Sequence, residues 1–354
     1  MRRGICLFLF LAVVAAGGAG ARNLDGTLGL IQRPISTVPV MVKAGEAFDL
    51  TVAAVPEEMR VALYRAAEEV LLLNHTREQG ALPPAVGGLV TVRVTVPADT
   101  PPGLYGLAVR VQPGRVSDTA ERAVKVVADW PQTYTFAHVT DTHIGRQDPP
   151  LVEQMLGRTA ALINRQGVDF VLVTGDITDN GRPEQYRSFL QLLDSFQAPT
   201  FVTPGNHDRG GGEVGAYGAN TIYESYCGPA NYAFKVGQHC YLSLDTRWAE
   251  EFLPHPPFRA WLEEQLKAPP PKLGVIFSHR VADTDLPYYQ EQLPAHNYGL
   301  YVYGHTHDDN IKWVGPKRLM LLNTSHEFAG TFSVVTVAGD QVVVVDHYHR
   351  TGVN

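Results

Sequence analysis

Cysteine is scarce in this chain, three in 354 residues. Cys6 lies in an apolar stretch at the extreme N-terminus, so only Cys227 and Cys240 are left to pair. At most one disulfide can form, and a disulfide framework cannot be what holds the fold together. Cationic excess is lacking as well: 29 Lys and Arg face 36 Asp and Glu, for a net charge of −7. Stable nucleic-acid binding relies on cationic side chains meeting phosphates, and this balance works against it. No apolar run reaches the ~20 residues that a transmembrane helix needs. Ile5 to Ala16 is too short, and it sits between Arg2-Arg3 and the small residues Ala19-Gly20-Ala21. A basic start, an apolar centre and a small-residue end read as a signal peptide cleaved after Ala21, which predicts a secreted or periplasmic protein without a membrane anchor. The glycine-rich stretch Gly210 to Gly218 lacks the Gly-Lys-Ser/Thr ending of a nucleotide-binding loop.

The chain beyond residue 21 divides in two. From 22 to 128, Val40 to Val42, Ala47 to Ala53, Val90 to Val96 and Leu104 to Val111 carry alternating or β-rich apolar residues, punctuated by Gly45, Pro97 to Pro102 and Pro113-Gly114. Short strands between such turns predict a small all-β sandwich. The stretch Val96 to Val111, with Asp99-Thr-Pro-Pro-Gly-Leu-Tyr105, is similar to the closing strands of bacterial immunoglobulin-like modules. Arg60 to Leu73 fits either a short helix or two further strands. This half shows no cluster of ligand residues and reads as a spacer or packing partner, with a carbohydrate- or protein-binding role as the alternative.

Asp129-Trp130-Pro131-Gln132 forms the seam, and from 129 to 354 the pattern changes. Strands at Tyr134 to Thr140, Phe170 to Thr174 and Thr200 to Thr203 alternate with helical spacing at Val152 to Arg165 and Pro183 to Phe196, which means α/β. Tyr241 to Leu244, Leu273 to Phe277, Leu300 to Tyr303 and three C-terminal stretches add more strands than one sheet comfortably holds. The expected architecture is therefore a four-layer α/β (α+β) sandwich, two mixed β-sheets flanked by helices. Asn231 to Val236 and His239 to Asp245 read as strands around Gly237-Gln238. That pairing sets Cys240 opposite Lys235 and weakens the case for a Cys227–Cys240 bridge.

Five short clusters of metal-ligand residue types fall in order along this second half: Asp141-Thr-His143, Gly175-Asp176, Gly205-Asn206-His207-Asp208, Ser278-His279 and Gly304-His305-Thr306-His307. Taken singly each is weak. An Asp-x-His or a Gly-Asp occurs by chance, Asn206-His207-Asp208 after Pro204-Gly205 reads as turn chemistry, and Gly304 to His307 reads as one exposed loop. Most of them, however, close an apolar β-rich run, on the loops beyond strand ends where α/β sheets carry their sites. A mixture of carboxylate, amide and imidazole donors suits a pair of borderline divalent metals. Two such ions a few ångströms apart clamp a phosphoryl group and ionise a shared water.

The ordered set resembles the calcineurin-like metallophosphoesterases over roughly Thr133 to Asp346. The resemblance implies two divalent metal ions per chain (Mn, Fe, Zn or Co), one held by Asp141, His143 and His307, the other by Asn206, His279 and His305, with Asp176 bridging them. It implies that His207 protonates the leaving oxygen and that Asp179 orients His207. His279 is followed by Arg280 where the family often has proline; His255-Pro256-Pro257 imitates that text better but precedes a helix rather than closing a strand. His138 reads as a core or supporting residue, and His326 as a candidate neighbour of the site.

Asn180 follows Asp179 where the family's Ser/Thr protein phosphatases have arginine, and His143 and Asp179 stand where purple acid phosphatases have other residues, including a tyrosine ligand. Asp176-Ile-Thr-Asp-Asn-Gly181 and Pro204-Gly-Asn-His-Asp-Arg209 look most like the cyclic-nucleotide phosphodiesterase branch. The function this implies is hydrolysis of a small phosphodiester, nucleotide-like or a phospholipid head group. A broad phosphomonoesterase is the alternative, and a non-catalytic surface-binding protein on a metal-stabilised scaffold is the alternative of another class.

Overall fold

The computed structural model describes residues 24–53, 58–65, 68–76, 88–112, 116–146, 149–210, 222–247, 257–281, 283–327 and 330–349. The expected signal peptide, most of the glycine-rich stretch after Gly210, and His255 lie outside them.

The first unit is all-β: β1 (Ile31–Arg33), β2 (Val40–Lys43), β3 (Ala47–Val52), β4 (Glu58–Arg65), β5 (Glu68–Thr76), β6 (Val90–Thr95), β7 (Gly103–Gln112) and β8 (Val116–Val127). They join in the order β1-β3-β6-β5-β4-β7-β8-β2. The ambiguous stretch from Arg60 resolves as two antiparallel strands, β4 and β5, with Val61 opposite Leu73. β5 then changes partner: Glu68 to Leu73 pair with β4, and Asn74 to Thr76 with β6. Alternate residues such as Val92, Val94, Leu107 and Val109 turn inward, so this unit shares one continuous core with the next.

The second unit runs β9 (Thr133–Val139), α1 (Pro149–Gln166), β10 (Phe170–Thr174), α2 (Pro183–Leu192), β11 (Thr200–Thr203), α3 (Ile222–Cys227), β12 (Tyr232–Val236), β13 (His239–Leu244), α4 (Pro257–Gln265), β14 (Gly274–Ser278), α5 (Leu286–Ala295), β15 (Tyr298–Tyr303), β16 (Asn310–Val314), β17 (Leu319–Asn323), β18 (Phe332–Ala338) and β19 (Gln341–Tyr348). Two mixed sheets result, β11-β10-β9-β18-β19 and β12-β13-β14-β15-β17-β16. They face each other through aromatics: Phe201 of β11 stacks on Phe234 of β12, and Phe170 of β10 meets Tyr241 of β13 edge-on. Residues of alternate parity, such as Val139, Val171 and Val173, pack under α1, α2 and α3, and α4 and α5 cover Leu242, Ile276 and Tyr301 on the other sheet. Strands β10 and β14 are buried along their whole length. That explains their unbroken apolar text, since both faces are covered.

The first unit also covers one edge of each sheet. Val202 in edge strand β11 donates its N–H to Thr37 O at 2.9 Å, and the Arg33 guanidinium donates to Ala233 O in edge strand β12. Arg122 Nη2 reaches Ala198 O at 2.8 Å. Cys227 and Cys240 are both free thiols, and Cys240 lies opposite Lys235.

Candidate metal centre

Parallel strands β9, β10, β11, β14 and β15 end on one side of the molecule, and each is followed by one of the five clusters. Backbone crowding brings these loops together. Gly175, at φ +81°, has no room for a Cβ, which would meet Gly205 N at 2.6 Å and His279 Cβ at 2.7 Å. A Cβ on Gly304 would strike Thr140 Oγ1 at 1.9 Å and Asp141 Oδ2 at 2.6 Å. Glycine is what lets three loops share one small volume.

Backbone strain marks the same residues. Eight described non-glycine residues have positive φ, and five of them are Asp141 (55°), His143 (45°), Asp176 (46°), His305 (73°) and His307 (58°). Such conformations cost free energy and persist where the surroundings over-determine them, most often at functional sites.

The donor atoms of Asp141, His143 and His307 lie within 4.8 Å of one another, as do those of Asp176, His279 and His305. Asp176 stands between the groups: its Oδ2 is 3.2 Å from His279 Nε2 and 3.7 Å from His143 Nε2, while its Oδ1 accepts from the His207 N–H at 2.8 Å. Asp141 Oδ1 is 3.2 Å from His307 Nε2, and Asp141 Oδ2 accepts from Thr140 Oγ1 at 2.7 Å and His305 N at 2.9 Å. His279 donates Nδ1–H to Thr174 O at 2.9 Å, which turns Nε2 into the site. Asn206 Oδ1 is buried and accepts no hydrogen bond among the described residues. A buried acceptor left in that state calls for a partner the protein does not supply, and a cation fits it.

The electrostatics agree. Burial would push His279 down, but the Asp176 and Asp141 carboxylates overcome it and lift the imidazole to about 10. Burial drives His143 and His305 down to about 4, leaving neutral nitrogens able to ligate. Asp176 is buried, yet His279, His207 and His143 hold its carboxyl well below the usual range. Concentrated anionic oxygen opposed chiefly by imidazoles is a setting that divalent ions complete. Four imidazoles, two carboxylates and an amide form a mixed N/O set compatible with Mn, Fe, Zn or Co.

His207 borders the cavity, which has a volume of about 510 Å³ and is lined by His143, Arg146, Asp176, Asp179, Asn206, His207, His305 and His307. Its Nδ1 donates to the Asp179 backbone carbonyl at 2.6 Å, and its Nε2 is 4.0 Å from Asp176 Oδ2. The Asp179 contact therefore differs from the expectation in one respect. The main chain of Asp179 holds His207, while the carboxylate faces His143 Nδ1 at 3.4 Å. The loop that follows Asp176 turns the Asp179 side chain toward that ligand.

Two residues have a place at the site that the sequence did not assign them, Asp208 among those in the five clusters and Arg146 outside them. Asp208 is fully buried and accepts from Gly205 N (2.8 Å), Thr178 N (2.9 Å) and Thr178 Oγ1 (2.7 Å), tying the Asn206-His207 turn to the Asp176 loop. Burial and the neighbouring Asp176 push its carboxyl up to about 6. Its turn position at the end of Gly-Asn-His-Asp was the available signal. Arg146 lines the cavity, placed by the turn in which its N–H bonds to His143 O at 3.0 Å; nothing in the spacing marked it. His326 packs its ring 4.8 Å from that of His307. His138 bridges Thr174 and Thr324 at 2.6 Å each and is neutral, burial pushing it down to about 3.

Residues 134–309 match the calcineurin-like phosphoesterase family. The chain thus carries a calcineurin-like metallophosphoesterase domain, and phosphodiesterases are among its relatives. A glycerophosphodiester phosphodiesterase, GpdQ of Enterobacter lignolyticus, is 35% identical over 79 residues, 20% of this chain and 28% of that protein. A 3',5'-cyclic-nucleotide phosphodiesterase of Nostoc is 46% identical over 44 residues, 12% of this chain and 16% of that protein. These matches span less than a third of either relative's length. The purple acid phosphatase of yellow lupin seeds shares the fold with a TM-score of 0.52 over 88% of this chain and 71% of its own, at 12% identity.

Proposed function

We propose that this protein is an exported binuclear-metal phosphodiesterase acting on a small diester, nucleotide-like or a phospholipid head group. One observation carries the reading: seven donor side chains from five separate loops come together, five of them lining one cavity and Asp141 and His279 buried beside it, and five of the seven stand on strained backbone. Asp141, His143 and His307 would hold one ion and Asn206, His279 and His305 the other, with Asp176 between them. Such a pair supplies charge stabilisation for a phosphoryl group and lowers the pKa of bound water. The chain's own contribution is orientation and a proton. The Asp179 carbonyl fixes the Nδ1–H of His207, so Nε2 is the atom that hands a proton to the leaving oxygen. The Asp179 carboxylate would steady His143 from behind.

Two relatives named as phosphodiesterases favour the diester over the monoester, and the basic N-terminus supports export. The first unit, similar in its closing strands to immunoglobulin-like modules, would act as a packing partner for the catalytic one.

Manganese-loaded protein should hydrolyse bis-p-nitrophenyl phosphate in preference to p-nitrophenyl phosphate, and elemental analysis should find two metals per chain. His207→Ala should keep its metal and lose about 10²–10⁴-fold in turnover, the usual worth of a general acid. Preference for the monoester would defeat the diester assignment, and undiminished turnover in His207→Ala would remove the proposed acid.

A further inference from the structure

We propose that the cleft at the seam between the two units is a second binding site, taking a small phosphate- or carboxylate-bearing anion. The cleft has a volume of about 990 Å³ and is walled by both units. Arg33 comes from the end of β1, Lys235 from β12, and Lys272 from the segment leading into β14. Among the described residues none of the three makes an ion pair. The Arg33 guanidinium donates to Ala233 O and lies 5.5 Å from the centre of the Tyr232 ring.

The acids along the same wall are already engaged. Asp49 is held by Arg93 at 2.8 Å, Asp129 by Lys43 at 2.8 Å, and Glu46 by the indole N–H of Trp130 at 3.1 Å. With the Asp49–Arg93 and Asp129–Lys43 pairs counted as neutral, three cations and one carboxylate, Glu46, remain along the cleft, an excess of positive charge in a chain whose net charge is −7. Burial lowers the pKa of Arg33, as it does for a cation short of compensation, and Tyr232 and Asp49 oppose the shift only in part. A cleft with an excess of one sign of charge on low-dielectric walls concentrates the opposite ion. The planar fork of Arg33 matches the paired oxygens of a phosphate or carboxylate, and the lysines add point charge.

This site is distinct from the metal centre. Lys272 precedes β14 and His279 follows it, so the two lie beyond opposite ends of a five-residue strand, itself roughly 17 Å long at the usual rise. The recessed position between two units suits a free anion better than a flat lipid surface, although a lipid head group carries the same chemistry.

The test is calorimetric titration of the metal-loaded full chain with inorganic pyrophosphate. Anion bound at the metal centre is common to every variant, so a difference between variants reads the seam alone. K235Q/K272Q should lose the second class of sites, or weaken it at least about tenfold, with turnover of bis-p-nitrophenyl phosphate unchanged. K312Q/K317Q, equal in charge change but distant on and beside β16, should bind like the wild type. Arg33→Gln, checked by circular dichroism because Arg33 also anchors the seam, should repeat the lysine result. Co-sedimentation with phosphatidylglycerol vesicles that K235Q/K272Q loses would identify a head group as the source. Superimposable isotherms for wild type and K235Q/K272Q, with equal sedimentation, would overturn the site.

Discussion

At the scale of single residues, the most unusual group outside the metal centre is Glu327. It is fully buried, neither carboxylate oxygen has a hydrogen bond of good geometry among the described residues, and burial pushes the carboxyl from 4.5 up to about 8, with Thr159 opposing. The folded pKa is raised, so the folded chain keeps a proton that the unfolded chain gives up. Stability should therefore fall as pH climbs from about 4.5 and level off above about 8. Glu327→Gln should be worth about 1–3 kcal/mol in urea unfolding at pH 8.5 and close to nothing at pH 4.5. Equal gains at both pH values would show that Glu327 does not titrate as described. Residue identity and order singled out seven candidate donors, each just beyond a strand end, and the fold brings these side chains together. The two contacts of Asp179 were not legible, since whether a main-chain carbonyl or a side chain meets His207 depends on how one loop turns.

Elements were legible where burial imposes a pattern. β10 and β14, covered on both faces, read as plain apolar runs, and β12–β13 read correctly down to the Cys240–Lys235 pair. α5 and β16 escaped notice. α5 carries Pro287 in its first turn and Pro294 near its end, and it buries only Tyr289 and Leu293. β16 is an edge strand with Ile311 and Trp313 exposed, so packing imposes no alternation on it. β8 is long but irregular, with Arg122 at positive φ and a break in its register with β7. The loop after β15 offers the sharpest test at this scale. Gly304→Ala adds one methyl group where Thr140 and Asp141 leave no space, and a shift of about 1 Å in a catalytic loop costs on the order of a hundredfold. Activity should drop by that much while the circular dichroism spectrum stays the same; near-normal turnover would show that the loops can separate without harm.

For the whole molecule, the first unit is structural as well as additional. It supplies Thr37 to edge strand β11 and Arg33 to edge strand β12, and its core runs on into the space between the two sheets. Exposed edges invite pairing with other chains. Residues 129–354 produced alone should therefore aggregate or elute as oligomers in size-exclusion chromatography, where the longer chain does not. A stable, active monomer would show that the seam is dispensable. The change of pattern at 129–132 suggested where two units would join, but the contacts between them are long-range, and no local spacing records them.

The proposed ligands are spread from Asp141 to His307, nearly half the chain, and both proposed ion positions draw on His279, His305 or His307 as well as on residues far earlier. A nascent polypeptide cannot assemble even one of them until the later histidines have emerged and the second sheet has formed. Cation uptake at those positions would therefore be a late maturation step, taken wherever folding finishes, and the supply of manganese, iron, zinc or cobalt in that surrounding would choose which metal the protein carries.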